Sequence, residues 1–272
     1  MGIKVNEEKK IFQLNTPNTT YLMGVARDQY LGHMYYGKKM DDCNGLYLLR
    51  MPEGKDAEHA LVKDKIGLMD RFSFEYPVWG TGDFRDTCLQ VRSESGHRVC
   101  ELTYEGYEII DGKPAIANMP ATFEGKASGG KAQTLVITLA DRLLGLKILL
   151  RYSIFEDSDV IARSVVAVNS GSQKLYLEKI LSACLDMDDE GFDLITLHGT
   201  WARERHIASR RVTLGKHIVS SLRGETSHQV QPFMALTTAG TSQKEGEVYA
   251  MNFVYSGNFI AETELDHQDG IR

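Results

Sequence analysis

Trp201-Ala202-Arg203-Glu204-Arg205 sets an indole, two guanidinium groups and a carboxylate side by side. An Arg guanidinium is a planar fork of donors that matches a carboxylate, so Arg203, Glu204 and Arg205 are suited to an ion-pair network. On a strand or short turn, that network would be partly buried, or would sit where another domain makes contact. Trp201 offers a large apolar face, suited to a core or interface anchor more than to a sugar platform. A second run follows, Ser221-Leu222-Arg223-Gly224-Glu225-Thr226-Ser227-His228. His228 adjoins Ser227, but no Asp partner and no nucleophile elbow accompany it, so it reads as a hydrogen-bonded structural histidine. Asp83 and Arg85 flank Phe84 just after Gly80-Thr81-Gly82 and read as structural partners, while Arg223 is grouped with the interface set.

Other chemistries are weaker. Asp186, Asp188, Asp189, Glu190 and Asp193 form an acidic cluster without the loop order or terminal bidentate Glu of a calcium site, and read as a solvated turn. His198, His206 and His217 are too dispersed for zinc. Cys43, Cys88, Cys100 and Cys184 show no close metal-type pairing; Cys88 and Cys100 flank a turn and read as reduced core thiols. No metal and no cofactor is expected.

The elements that must carry these residues are strands. Leu135 to Leu139, Leu146 to Tyr152, Val160 to Val168, Leu175 to Leu181 and Val248 to Tyr255 are rich in β-branched or aromatic residues and are separated by turn signals. Leu146, Ile148 and Leu150 alternate with Lys147, Leu149 and Arg151, which predicts one buried face and one partly wet. No helical stripe is evident. The stretch from Lys38 to Phe74 is irregular, and a connection of that length is usually functional. Length permits one large β domain or two smaller ones; we expect an all-β, antiparallel two-sheet β-sandwich over residues 1–272 as a single domain. The net charge of −6 disfavours nucleic-acid partners. The first ten residues lack an apolar core, and the tract Leu143 to Leu150 is too short to span a bilayer, so a cytoplasmic, membrane-free protein is expected.

Read in order, the two runs above join Pro232-Phe233, Tyr255-Ser256-Gly257-Asn258-Phe259, Tyr35-Tyr36-Gly37, Glu75-Tyr76-Pro77, Gly82-Asp83-Phe84-Arg85, Gly112-Lys113-Pro114 and Met119-Pro120-Ala121-Thr122. The ordered set, spanning Phe12 to Phe259, resembles the N-terminal domain of the family 36 glycoside hydrolases, the large microbial α-galactosidases. That resemblance implies a supersandwich of galactose-mutarotase-like type. It also implies a parent enzyme that removes terminal α-galactosyl residues from melibiose or raffinose-type oligosaccharides with retention. In that family both catalytic aspartates lie on a (β/α)₈ barrel that follows this domain, and such a pair stands about 5 Å apart. No βαβα pattern precedes Arg272, so the chain is expected to be inactive alone and its sandwich to be incomplete at the C-terminal end. Its expected partners are its own catalytic barrel, α-galactoside oligosaccharides and further copies in a homotetramer. The resemblance further implies that the loop after Tyr36-Gly37 reaches a neighbouring subunit's sugar pocket, with Glu53 in the acidic role and Lys65 or Arg71 in the basic one. Two alternatives stay open: a parent α-N-acetylgalactosaminidase, and a stand-alone carbohydrate-binding or scaffold sandwich.

Overall fold

The computed structural model describes residues 2–27, 29–41, 44–49, 69, 72–124 and 131–272. Those residues are built almost entirely of antiparallel strands, and they divide into two compact units. The first unit holds residues 1–114 and 123–186; the second holds 115–122 and 187–272.

In the first unit, β1 (Gly2–Asn6), β2 (Ile11–Asn15), β3 (Thr19–Ala26) and β4 (Tyr30–Lys38) form one meander. After β5 (Leu89–Ser93), a second meander runs through β6 (Thr103–Asp111), β7 (Ala132–Asp141), β8 (Leu146–Phe155) and β9 (Ser158–Asn169). β10 (Leu175–Ile180) returns to pair with β5. Period-2 alternation sorts the side chains. Leu146, Ile148, Leu150 and Tyr152 of β8 point into the core, while Lys147, Leu149 and Arg151 point out and are half-buried. The inward residues meet Phe12, Leu14 and Tyr21 from the first sheet, so the two meanders share one apolar interior. Each such side chain contributes about 1.5–3 kcal/mol by leaving water.

β2 and β3 are buried on both faces, because Ile11 and Leu22 point away from that interior into a second cluster with Leu49, Phe72 and Phe74. The described ends of the irregular stretch thus cover the outer face of the first sheet; they include a short 3₁₀ turn at Leu46–Leu48. Gly24 and Gly32 are cross-strand partners that leave room for this cover. A Cβ on Gly32 would stand 2.5 Å from Leu49 Cδ2 and 2.7 Å from Phe72 Cζ.

The second unit has β11 (Met187–Asp188), β12 (Asp193–Thr200), β13 (Arg203–Arg211), β14 (Gly215–Ser221), β15 (Val230–Thr237), β16 (Val248–Asn252), β17 (Phe259–Leu265) and β18 (Gly270–Ile271). They form two four-stranded sheets in the orders β11-β18-β17-β14 and β13-β12-β15-β16. Leu194, Met234, Leu265 and Ile271 join Phe192 and Val212 in a core that spans both sheets. β13 lies at a sheet edge, and all nine of its residues are exposed.

Candidate functional site

The motif residues of the second unit converge at one end of it, held by backbone geometry. Thr200 pairs with Arg203, leaving Trp201 and Ala202 as the turn of the β12–β13 hairpin. Ala202 takes a left-handed φ of 61°, and its N–H donates to Glu204 Oε1 at 2.9 Å, which locks the turn. Behind the turn, a Cβ on Gly199 would lie 2.3 Å from the Arg203 carbonyl oxygen and 3.0 Å from that of His228, so only glycine fits. Gly199 N–H donates to the Gln229 carbonyl at 3.1 Å, which draws the 222–229 loop against the hairpin. Arg223 Nη1 donates to Gln229 Oε1 at 2.7 Å within that loop. Gly224 N–H reaches Asn258 Oδ1 at 2.7 Å and Thr226 N–H reaches the Ser256 carbonyl at 2.6 Å. Three stretches far apart in sequence thereby meet. They carry apolar surface outward: Trp201 is 84% exposed and Leu222 87%.

This geometry bears on the sequence expectation in three respects. Arg203, Glu204 and Arg205 form no ion pair among the described residues; β13 is an edge strand and all three are exposed. Glu204 serves the turn instead. Trp201 is not a core residue of this unit. The His228 ring is exposed and makes no hydrogen bond among the described residues; the contact made at this residue is through its carbonyl.

In the first unit, Asp83 and Arg85 meet. Arg85 Nε and Nη2 grip the two Asp83 oxygens at 3.0 and 3.1 Å, Nη1 lies 3.1 Å from Asp186 Oδ2, and Nη2 also donates to the Phe72 carbonyl at 2.8 Å. The acidic cluster is therefore dispersed: Asp186 is buried on Arg85, Asp189 Oδ1 caps the Gly191 and Phe192 N–H groups, and Asp193 pairs with Arg211. Among the described residues, no group of three or more His, Cys, Asp or Glu is placed to hold a metal. Cys88, Cys100 and Cys184 are buried thiols, Cys184 Sγ lying 3.6 Å from Asp186 Oδ1, and burial pushes the Cys100 thiol far up. Glu53, Lys65, Arg71 and Cys43 lie outside the described residues.

A buried network that the sequence reading did not single out surrounds Glu75. Tyr21 and Tyr152 hydroxyls donate to its Oε1 at 2.7 and 2.8 Å, Arg163 Nη2 at 2.6 Å, and His33 Nδ1 stands 3.4 Å from Oε2. Burial pushes the Glu75 carboxyl up, but Arg163, His33 and Tyr21 outweigh it and hold it below its ordinary value. The available signal was Arg163, a charge in line with the inward-facing Ile161, Val165 and Ala167 of β9.

Known proteins match nearly the whole chain. Over 266 residues the chain is 36% identical to the α-galactosidase AgaA of Geobacillus stearothermophilus, covering 98% of this chain and 36% of that protein. It is 38% identical over 267 residues to the bifunctional α-galactosidase/sucrose kinase AgaSK of Mediterraneibacter gnavus, covering 98% of this chain and 28% of that one. The crystal structure of the Lactobacillus brevis α-galactosidase superposes with a TM-score of 0.92 at 37% identity, over 99% of this chain and 36% of that structure. The chain thus spans about a third of the length of the relatives it matches. Residues 29–272 match the family model described as the glycosyl hydrolase family 36 N-terminal domain. By that match over most of its length, the chain belongs to the family 36 N-terminal domains.

Proposed function

We propose that this chain is the non-catalytic N-terminal portion of an α-galactosidase that hydrolyses terminal α-galactosyl residues with retention. The relatives it matches carry that activity in their names, and one of them, AgaA, has been crystallised as a variant with raffinose. The observation that carries the reading is the end of the second unit where the β12–β13 hairpin, the 222–229 loop and the 256–258 turn meet. Trp201 and Leu222 are exposed there on a backbone held by the Gly199–Gln229, Gly224–Asn258 and Thr226–Ser256 hydrogen bonds. A rigid apolar patch of this kind suits contact with another domain, and a catalytic region downstream of Arg272 is the partner we assign to it. In the same reading the protein is a cytoplasmic homotetramer, and the 38–74 stretch serves a neighbouring subunit's sugar pocket through Glu53 and through Lys65 or Arg71.

The docking is tested by fluorescence quenching. In a Trp79→Phe background, acrylamide should quench Trp201 freely in the 272-residue chain. In the longer polypeptide, with its additional tryptophans replaced, quenching of Trp201 should fall several-fold. Equal accessibility in both would remove the docking reading. The catalytic division is tested separately: the 272-residue chain should give no turnover of an aryl α-galactoside, and measurable turnover would place the catalytic apparatus within it. In the oligomeric enzyme, Glu53→Ala should lower kcat/KM while the fold is retained.

A further inference from the structure

The outer face of the β6–β9 sheet carries two cations with no carboxylate partner among the described residues. Arg151 lies on β8 between the inward-pointing Leu150 and Tyr152, so its own side chain is on the face opposite the core. Its Nε is buried and has no hydrogen-bond partner. Register sets Val136 of β7 opposite it on one side and Ser164 of β9 on the other. Directly opposed side chains in an antiparallel pair have Cβ atoms about 4.5–5.5 Å apart, so Ser164 lies beside the stem of Arg151 on the same face. Ser153, two residues along, faces the same way and bonds Thr134 Oγ1 at 2.7 Å, which in turn donates to the Gly112 carbonyl at 2.7 Å. That tether brings the next residue, Lys113, to the patch. Its ammonium donates to the Pro114 carbonyl at 3.1 Å, and burial and the nearby Arg151 both lower its pKa.

A partly buried guanidinium beside a desolvated ammonium is costly unless negative charge is supplied. The planar fork of Arg and the point charge of Lys together match the oxygens of a carboxylate or phosphate. We propose that Arg151 and Lys113 form an oxyanion-binding site on this face. The free anion and an acidic side chain supplied by another segment share this chemistry.

Calorimetric titration of the 272-residue chain with inorganic phosphate and, separately, with acetate, at constant ionic strength, tests the site. Saturable one-to-one binding of either probe is expected. Binding of acetate assigns the site to carboxylates, and binding of phosphate alone assigns it to phosphate groups. Arg151→Gln and Lys113→Gln should each weaken the interaction by about tenfold or more, while Lys131→Gln leaves it unchanged. Because an anion favours the charged ammonium, binding at alkaline pH should take up protons, seen as a heat that varies with the ionisation enthalpy of the buffer. Lys113 is in a loop, so its variant decides the matter if the strand variant fails to fold. No saturable binding of either probe, or binding that survives both substitutions, an adventitious ion only, would overturn the proposal.

Discussion

Glu75 and Arg163 lie at the centre of the first unit, and removing either one leaves the other charged and without water. The pair is completed by two tyrosine hydroxyls, so the carboxylate is saturated with donors. Glu75→Gln should cost about 3–5 kcal/mol in urea unfolding, since a broken buried pair costs more than an absent one. Its pH dependence has a defined sign. A carboxyl held below its ordinary value contributes stability above the unfolded-state pKa, about 4.3, and loses it as pH falls toward the folded value. Stability should therefore decline below about pH 5, and the decline should be shallower in Glu75→Gln. The buried thiols make a second prediction at this scale. Cys88, Cys100 and Cys184 should resist alkylation in the native chain and react once it is unfolded, as read by peptide mass mapping. Arg163 within Val160 to Val168 hints at a buried ion pair, but its partner is 88 residues away, and nothing local in the sequence names it. The Asp83–Arg85 contact was visible because it spans two residues.

At the scale of elements, two glycines do the positioning. Gly32 lets Leu49 and Phe72 approach the first sheet, and Gly199 lets the β12–β13 hairpin meet the 222–229 loop. Gly32→Ala should cost about 1–3 kcal/mol through overpacking, measured by thermal or urea unfolding. Gly199→Ala should loosen the Trp201 end, detected as faster amide exchange at Gly224 and Thr226 with the core strands unchanged. Strand identity was legible wherever β-branched residues alternate, as in β7, β8 and β9. β13 shows why the site was only half legible. Its run Arg-Glu-Arg-His-Ile-Ala-Ser-Arg-Arg suits an ion-pair network, yet whether a strand is central or at an edge is a property of topology that local sequence does not encode.

For the whole molecule, circular dichroism should show a spectrum dominated by β structure, with helix far below the roughly one-third usual in globular domains. Turn-punctuated strands run on both sides of Asp186, and residues 115–122 join the second unit from within the first, so the division into two units does not follow the strand pattern alone. The meander order also bears on how the chain is made. Among the named strands, β1 to β4 pair only with sequence neighbours, so their own ladder is complete once Lys38 has been synthesised; the later segment around Phe74 adds only a bridge to Gly32. Yet Phe12, Leu14 and Tyr21 are covered by β7 and β8, which arrive with residues 132–155. At ribosomal rates of about 5–20 residues per second, the nascent sheet presents an oily, uncovered side for on the order of ten seconds. Ribosome-stalled chains ending at Lys113 should be protease-sensitive and chaperone-bound, and chains with Asn169 clear of the exit tunnel should be neither.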